Sequence, residues 1–172
     1  MISISDNEGT IIDFIIKNYS KRYTIREIAL NLKISPAGAH KSLKKLGQAG
    51  IVKSEKLGTG LFYDIDYNNR AARHLACFII SQTKDYSLGE LKELVKAVIV
   101  NKHVLVVSDT HDHSKIRADV FNLFKDKEIM IMTEEEFRSG VMRADKKITD
   151  ILGSGSVAYG EELLIKSLRG FR

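Results

Sequence analysis

A short stretch near the middle of the chain carries side chains that suit metal-dependent chemistry. The sequence VLVVSDTHDHSKI, residues 104–116, is an apolar run that ends in Ser108, Asp109, His111, Asp112 and His113. Carboxylates and imidazoles this close together are the ligands with which many hydrolases hold divalent metal ions. The same residues also suit a strand that ends in a turn, where Asp112 or His113 would cap a helix at 114–125.

The stretch VLVVSDTHDH resembles the first motif of calcineurin-like metallophosphoesterases, a strand that ends in Asp-x-His. That resemblance implies metal-ligand roles for Asp109 and His111. The family draws its other ligands from a Gly-Asp, a Gly-Asn-His and later histidine-containing loops. This chain has none of these motifs and no histidine after His113, so a two-metal centre cannot be completed from its residues. We therefore predict a core strand and no metal or other cofactor.

The polar residues at the end of this strand allow a second interpretation. In α/β domains, ligands bind at the ends of parallel strands. Ser108, Asp109 and His111 are therefore candidates for a small-molecule or ion effector site.

The composition is that of a soluble globular protein, and the charge is unevenly distributed. Of the 172 residues, 28% are charged and 44% hydrophobic, without an apolar run of membrane-spanning length or a secretory signal pattern. Residues 1–84 hold 13 basic and 7 acidic side chains, whereas residues 85–172 hold 14 and 15. The single cysteine, Cys77, excludes an internal disulfide and a cysteine-cluster zinc site. We expect a cytoplasmic protein whose N-terminal half binds a polyanion.

Two helices are predicted at the start of the chain. The apolar residues of NEGTIIDFIIKNY, residues 7–19, predict a first helix with Asp6 as its N-cap. Thr24 and Glu27 have the spacing of a capping box and predict a short second helix in TIREIALNLKI.

A third predicted helix carries a basic outward face. Ser35 and Pro36 suit its N-cap and its first position in SPAGAHKSLKKLGQAG. The residues with inward spacing are Ala39, Leu43 and Leu46. The opposite face carries Ala37, Lys41, Lys44, Lys45 and Gln48, with His40 beside it. A hairpin is predicted next, with strands at 51–56 and 61–66 around Gly58-Thr59-Gly60.

This order of elements resembles the winged helix-turn-helix domains of prokaryotic transcription regulators, over about residues 8–82. The residues that carry the resemblance are TIREIALNLKISPAGAHKSLKKLGQAGIVKSEKLGTGLFYDID. It implies binding of double-stranded DNA, with the third helix in the major groove and the hairpin on the backbone.

The resemblance and the chemistry of the side chains together suggest DNA-binding roles. We expect base edges to be approached by Ala37, Gly38, His40 and Lys41. We expect phosphates to be contacted by Lys44, Lys45, Lys53 and Lys56, with Ser35 and the helix N-termini donating as well. The alternative is a solvated helix face in a protein-interaction module. The next helix, NNRAARHLACFIISQTK, suits a dimer interface, a surface on which the second half docks, or an ordinary core.

The C-terminal half predicts a small α/β domain. Ser87 and Glu90 form another capping-box pattern and predict a helix in LKELVKAVIV. The elements that follow are strand HVLVV, helix HSKIRADVFNLFKD, strand EIMIM, helix TEEEFRSGVM capped by Thr133, helix ADKKITDIL, the loop and strand of GSGSVAYG, and helix EELLIKSL. This alternation predicts parallel strand pairing.

The tail FKDKEIMIMTEEEFRSGVMRADKKITDILGSGSVAYGEELL resembles small archaeal nucleotidyltransferase-like proteins of the polymerase-β type, over about residues 100–168. Active members carry an upstream Gly-Ser turn and an Asp-x-Asp pair just before an apolar run such as VLVV. Here Asn101, Lys102 and His103 precede that run, and the Gly-Ser pairs fall later, at 153–156. The resemblance therefore implies a shortened, inactive relative.

The predicted fold class is an α+β winged helix-turn-helix domain, residues 1–84, followed by a small α/β domain, residues 85–172. We predict a sequence-specific DNA-binding transcription regulator, homodimeric and archaeal, that is not an enzyme. Its second domain would sense an effector or dimerise. The alternatives are a protein-interaction module with a vestigial nucleotidyltransferase domain, or a metal-dependent phosphoesterase or nucleotidyltransferase.

Overall fold

Helices and strands of both halves are resolved in a computed structural model that describes residues 3–82 and 86–171. The chain divides into two units, Met1–Ile79 and Ile80–Arg172. The predicted boundary between residues 84 and 85 lies outside the described residues. The fold is of mixed α+β type, with one sheet in each unit.

The described residues up to position 82 form seven elements. They are α1 (Asp6–Lys17), β1 (Tyr23–Thr24), α2 (Ile25–Leu32), α3 (Pro36–Gln48), β2 (Val52–Leu57), β3 (Gly60–Ile65) and α4 (Arg70–Ser81). The three strands form an antiparallel sheet of order β1-β3-β2. The main core of this unit comprises Ile11, Ile12, Ile15, Ile16, Ile28, Leu43, Leu46, Ile51 and Ile65, all buried.

Local capping interactions set the starts of the helices. The predicted capping box of Thr24 and Glu27 is present at α2, and Ser35 caps α3 with Pro36 in the first turn. The prediction for α1 was wrong by one residue, because Ser5, not Asp6, is the N-cap. Ser5 N–H donates to Oε2 of Glu8 at 3.0 Å, which completes a capping box that the sequence reading missed.

The hairpin after α3 turns tightly. Leu57 pairs with Gly60, so Gly58 and Thr59 form the two-residue turn. Gly58 has a φ of 59°, in the left-handed region that glycine occupies without steric strain.

Nine further elements lie within residues 86–171. They are α5 (Leu91–Leu94), β4 (Ala97–Val100), β5 (His103–Val107), α6 (His113–Leu123), β6 (Glu128–Met132), α7 (Glu134–Met142), α8 (Lys146–Ser154), β7 (Ser156–Tyr159) and α9 (Glu161–Phe171). The four strands form a sheet of order β6-β5-β4-β7. The strand at 103–107 and the Thr133-capped helix are where the sequence predicted them.

The predicted helix in LKELVKAVIV was wrong for most of its length. The helix is the four-residue α5, whose N-cap is Glu90 rather than Ser87, and Ala97–Val100 is a strand buried on both faces. A buried central strand lacks the alternation that separates strand from helix in sequence.

The prediction of parallel pairing was correct only for β5 and β6. A tight turn at Asn101–Lys102 joins β4 and β5 as an antiparallel hairpin, and β7 also pairs antiparallel with β4. Helices cover both faces of this sheet. Alternate residues of β4 and β5, among them Val98 and Val106, pack with α5 and α6. Ile99, with the opposite orientation, lies on the face that carries α8 and α9.

Candidate nucleic-acid interface

The two helices that precede the hairpin are joined by a short turn. Lys33 ends α2 in the left-handed conformation, with a φ of 55°. The N–H of Ile34 donates to the carbonyl of Ala29 at 3.1 Å. Oγ of Ser35 then accepts the N–H of Gly38 at 3.0 Å, so α3 begins directly after the turn. The turn and cap therefore fix the angle at which α3 leaves α2.

One face of α3 is buried and the other is exposed. Ala39, Leu43 and Leu46 are buried, as their spacing predicts. The exposed side chains are Ala37, His40, Lys41, Lys44, Lys45 and Gln48, and Gly38 is half-buried. This leaves small residues near the start of the helix and cations along its length.

A groove of about 200 Å³ lies between α3 and the hairpin. Its lining residues are His40, Leu43, Lys44, Gly47, Val52, Lys53, Ser54 and Tyr63. His40 and Lys44 are four residues apart on one helix face, and Lys53 approaches the groove from the hairpin. Burial raises the pKa of the Tyr63 phenol above its ordinary value, so it stays neutral and able to donate a hydrogen bond. The groove therefore combines the cations Lys44 and Lys53 with the neutral donor Tyr63, a combination that suits the anionic phosphate backbone of a nucleic acid.

Lys45 lies next to Lys44 but has another partner. Its Nζ is 3.0 Å from Oε2 of Glu8 and 2.6 Å from the carbonyl of Ser3. The structure therefore places the Lys45 ammonium against the start of α1 rather than in the groove. The sequence reading missed this partner because Glu8 is 37 residues away.

The hairpin carries the remaining predicted lysines. Lys53 and Lys56 are both exposed on β2. Successive side chains of a strand point to opposite faces, so these two lysines, three positions apart, lie on opposite faces. Between them, Glu55 binds Arg22 at 2.7 Å. That ion pair offsets one of the negative charges of the hairpin.

The candidate effector residues lie at the end of β5 in the C-terminal unit. Ser108 is buried and donates to the carbonyl of Leu94 at 2.6 Å. Oδ1 of Asp109 accepts the N–H of Glu134 at 2.9 Å. His111 is exposed. Ser108 and Asp109 thus form hydrogen bonds that join the end of β5 to neighbouring segments.

Asp109 also belongs to a four-charge chain in which Asp109, Lys96, Glu134 and Arg138 follow one another with alternating sign. Nζ of Lys96 lies 2.5 Å from Oδ2 of Asp109 and 2.6 Å from Oε2 of Glu134. Glu134 also binds Arg138, at 2.6 Å. The hydrogen bond from Lys96 lowers the pKa of both carboxyls, and these two partners raise the pKa of Lys96, so all remain charged at neutral pH. The sequence reading missed Lys96, because it placed that residue in a helix.

The carboxylates of Asp112 and Asp145 act as helix caps. Asp112 accepts the N–H of Lys115 at 3.1 Å and begins α6, which confirms one of the two predicted caps. Asp145 likewise accepts the N–H of Lys147 at 2.9 Å and begins α8. Within residues 3–82 and 86–171, no three histidine, cysteine, aspartate or glutamate side chains cluster as metal ligands would.

The segment that would carry the nucleotidyltransferase carboxylates is a hairpin turn. Asn101 and Lys102 lie between β4 and β5, and Nδ2 of Asn101 donates to Oγ of Ser154 at 3.1 Å. Gly153 and Ser154 end α8, and Gly155 leads into β7. The Gly-Ser pairs thus lie at a helix-to-strand junction.

The chain shows only partial similarity to known proteins. No protein-family model matches the chain, and no curated protein matches it. Solved structures of two mutants of Lactococcus lactis ZitR are similar to it, each at 24% identity, with TM-scores of 0.37 and 0.36. The similarity covers 44% of this chain and 49% and 50% of the ZitR chains, so the chain spans about half the length of those proteins. Function must therefore be argued from the residues themselves.

Over the two described ranges, no helix is long and apolar enough to cross a bilayer.

Proposed function

We propose that the chain is a DNA-binding transcription regulator whose N-terminal unit is a winged helix-turn-helix. In this proposal α3 enters the major groove and the β2–β3 hairpin is the wing that contacts the backbone. The observation that carries the proposal is the groove between α3 and β2, where His40 and Lys44 of the helix meet Lys53 of the hairpin.

The exposed face of α3 supports an approach to base edges. Ala37 and Gly38 are small and lie at the start of the helix, so they allow close approach to the floor of the major groove. His40 and Lys41 are exposed beside them and supply hydrogen-bond donors.

The phosphate contacts are assigned to Lys44, Lys53 and Lys56, together with Ser35 and the amides that begin α3. Lys45 is left out of this set because its ammonium is held by Glu8 and Ser3. Phosphate contacts supply affinity but little sequence information.

For the C-terminal unit we propose a non-catalytic role in sensing or dimerisation. Asp109, the first residue of the Asp-x-His motif, is engaged by Lys96 and by the Glu134 amide, which leaves it poorly placed to hold a metal. Lys102 occupies the hairpin turn where the nucleotidyltransferase resemblance would need a carboxylate, and its charge would repel a cation.

The test is a titration of the purified full chain with a duplex from its own upstream region and a random duplex, at about 50 and about 200 mM salt. We expect tighter binding to the upstream duplex and a steep loss of affinity at the higher salt. The K41A/K44A double variant should bind both duplexes more weakly, whereas H111A should bind like the parent.

Lys146 offers a matched control, since it is an exposed lysine in the C-terminal unit. If K41A/K44A binds as tightly as K146A, the assigned recognition face is wrong. Absence of binding to either duplex would reject DNA binding as a whole and favour the protein-interaction alternative.

A further inference from the structure

Strand β6 is an outer edge of the sheet in the C-terminal unit. The strand order is β6-β5-β4-β7, so β6 has a hydrogen-bonded neighbour on one side, β5. The backbone groups on its other side point away from the sheet. A row of such groups pairs readily with another strand unless the chain protects it.

The other edges in the described part of the chain carry protective features. β2 contains Lys53, Glu55 and Lys56, β1 has two residues, and the β4–β7 pairing has a register shift. After Glu128, β6 reads Ile-Met-Ile-Met, pairs with β5 in regular register and has only half-buried side chains. From Ile129 to Met132 its edge is apolar and carries no charge, proline or bulge.

The charges that flank β6 indicate what would cover this edge. Lys125 and Lys127 precede the strand, and Glu134, Glu135 and Glu136 follow it. In an antiparallel pairing of two copies, the basic end of one strand lies beside the acidic end of the other. A parallel pairing would instead place like charges together.

A register centred on Met130 places Met130 opposite Met130 of the second copy and Glu128 opposite its Met132. The turn before the strand, which holds Lys125 and Lys127, then lies beside the acidic first turn of α7 of the second copy. Lys125 and Glu135 are exposed, and neither side chain has an ion pair or hydrogen bond within the described residues.

The side chains of β6 also suit such a pairing. Met130 and Met132 line a groove of about 430 Å³ whose walls include residues of α7 and α8. Ile129 and Ile131, which point the other way, pack against the core under α6. A two-fold axis perpendicular to the sheet keeps each set on its own face. Met130 then meets Met130 and Ile129 meets Ile131 across the junction, while Met132 lies opposite Glu128.

We propose that β6 pairs antiparallel with β6 of a second copy, which joins the two four-stranded sheets into one across a two-fold axis. The proposal deepens the proposed function, since two-fold dimers suit paired DNA half-sites, but its test uses no DNA.

The first test measures the oligomeric state of the full chain by sedimentation velocity over a range of concentrations. The parent chain is expected to dimerise. K125E and E135K each place like charges near one another at both ends of the junction, so each should dimerise about tenfold more weakly. An equimolar mixture of K125E and E135K should recover the parent affinity, because in the heterodimer positions 125 and 135 carry opposite charges at both ends of the junction.

The second test places a charge on the axis. M130K brings two ammonium groups together, and we expect a monomer with a parent-like circular dichroism spectrum. M142K is the matched control, because Met142 is an exposed methionine of α7, outside the strand. A parent chain that stays monomeric, or a dimer unchanged by K125E, E135K and M130K, would overturn the proposal.

The two proposals fail in different ways. A monomer that binds its upstream duplex overturns the β6 pairing and leaves DNA binding standing. A dimer that responds to K125E, E135K and M130K as expected but binds no duplex supports the pairing and rejects the regulator.

Discussion

The ammonium of Lys45 lies 3.0 Å from Oε2 of Glu8 and joins α3 to the start of α1. Glu8 is buried, and the same oxygen accepts the N–H of Ser5. The adjacent Lys44 lies instead in the groove between α3 and the hairpin. Two neighbouring lysines of one helix therefore serve different purposes, one structural and one proposed for DNA.

We predict that K44A and K45A separate these purposes. K45A leaves the buried Glu8 carboxylate without its cation and should lower the free energy of unfolding by about 1–2 kcal/mol. K44A should leave stability nearly unchanged but reduce the slope of log affinity against log salt by about 1. Urea denaturation and DNA titration of both variants check this. A K44A variant that is destabilised while K45A is not would reverse the two roles.

The ion pair of Glu8 also predicts a pH dependence of stability. Burial by itself raises the pKa of Glu8, but the Ser5 amide and Lys45 outweigh it, so the pKa lies below the ordinary 4.5. A carboxylate with a lowered folded-state pKa stabilises the fold above pH 4.5, and this contribution is lost as the pH falls through the folded pKa. E8Q should therefore be less stable than the parent at pH 7, with the difference shrinking below pH 4.5. Chemical denaturation at several pH values measures it, and a difference that grows on acidification would contradict the assignment.

Structural features that depend on a few neighbouring residues could be predicted from the sequence. Features that depend on residues distant in the sequence could not. The box of Thr24 and Glu27 and the cap of Ser35 each lie within one helical turn, so spacing alone found them. The identity of Ala97–Val100 depends on the strands on both sides of it, since a short apolar run suits a buried helix or strand equally.

The same limit applies to the site residues. Spacing placed Lys44 and Lys45 together on the exposed face of α3, but only the fold brings Glu8 to Lys45. At the end of β5, the sequence drew attention to Asp109, yet its partner Lys96 lies just before β4, in a segment that the sequence assigned to a helix. Tertiary pairing decides which polar residues are free to bind a ligand.

Lys96 is predicted to hold the end of β5 to the start of α7. K96M leaves the carboxylates of Asp109 and Glu134 near each other without the cation between them, so the melting temperature should fall. The loss should be smaller at high salt, because both carboxylates are partly exposed and salt screens their repulsion. K146M, at an exposed lysine of α8, is the matched control and should melt like the parent. Equal melting temperatures for K96M and K146M at low salt would mean that the four-charge chain adds nothing to stability.

Ala144 offers a stabilising substitution after α7. Its φ of 50° lies in the left-handed region, where a Cβ is strained and glycine is not. The turn is otherwise well bonded, with the N–H of Asp145 donating to the carbonyl of Gly140 at 2.9 Å. A144G should therefore raise the free energy of unfolding by about 0.5–1 kcal/mol. The same change at Ala118, an exposed residue within α6, should lower it by about 1 kcal/mol, because glycine is a poor helix former. Urea denaturation of both variants gives the comparison, and a loss of stability in A144G as large as in A118G would show that the turn does not favour glycine.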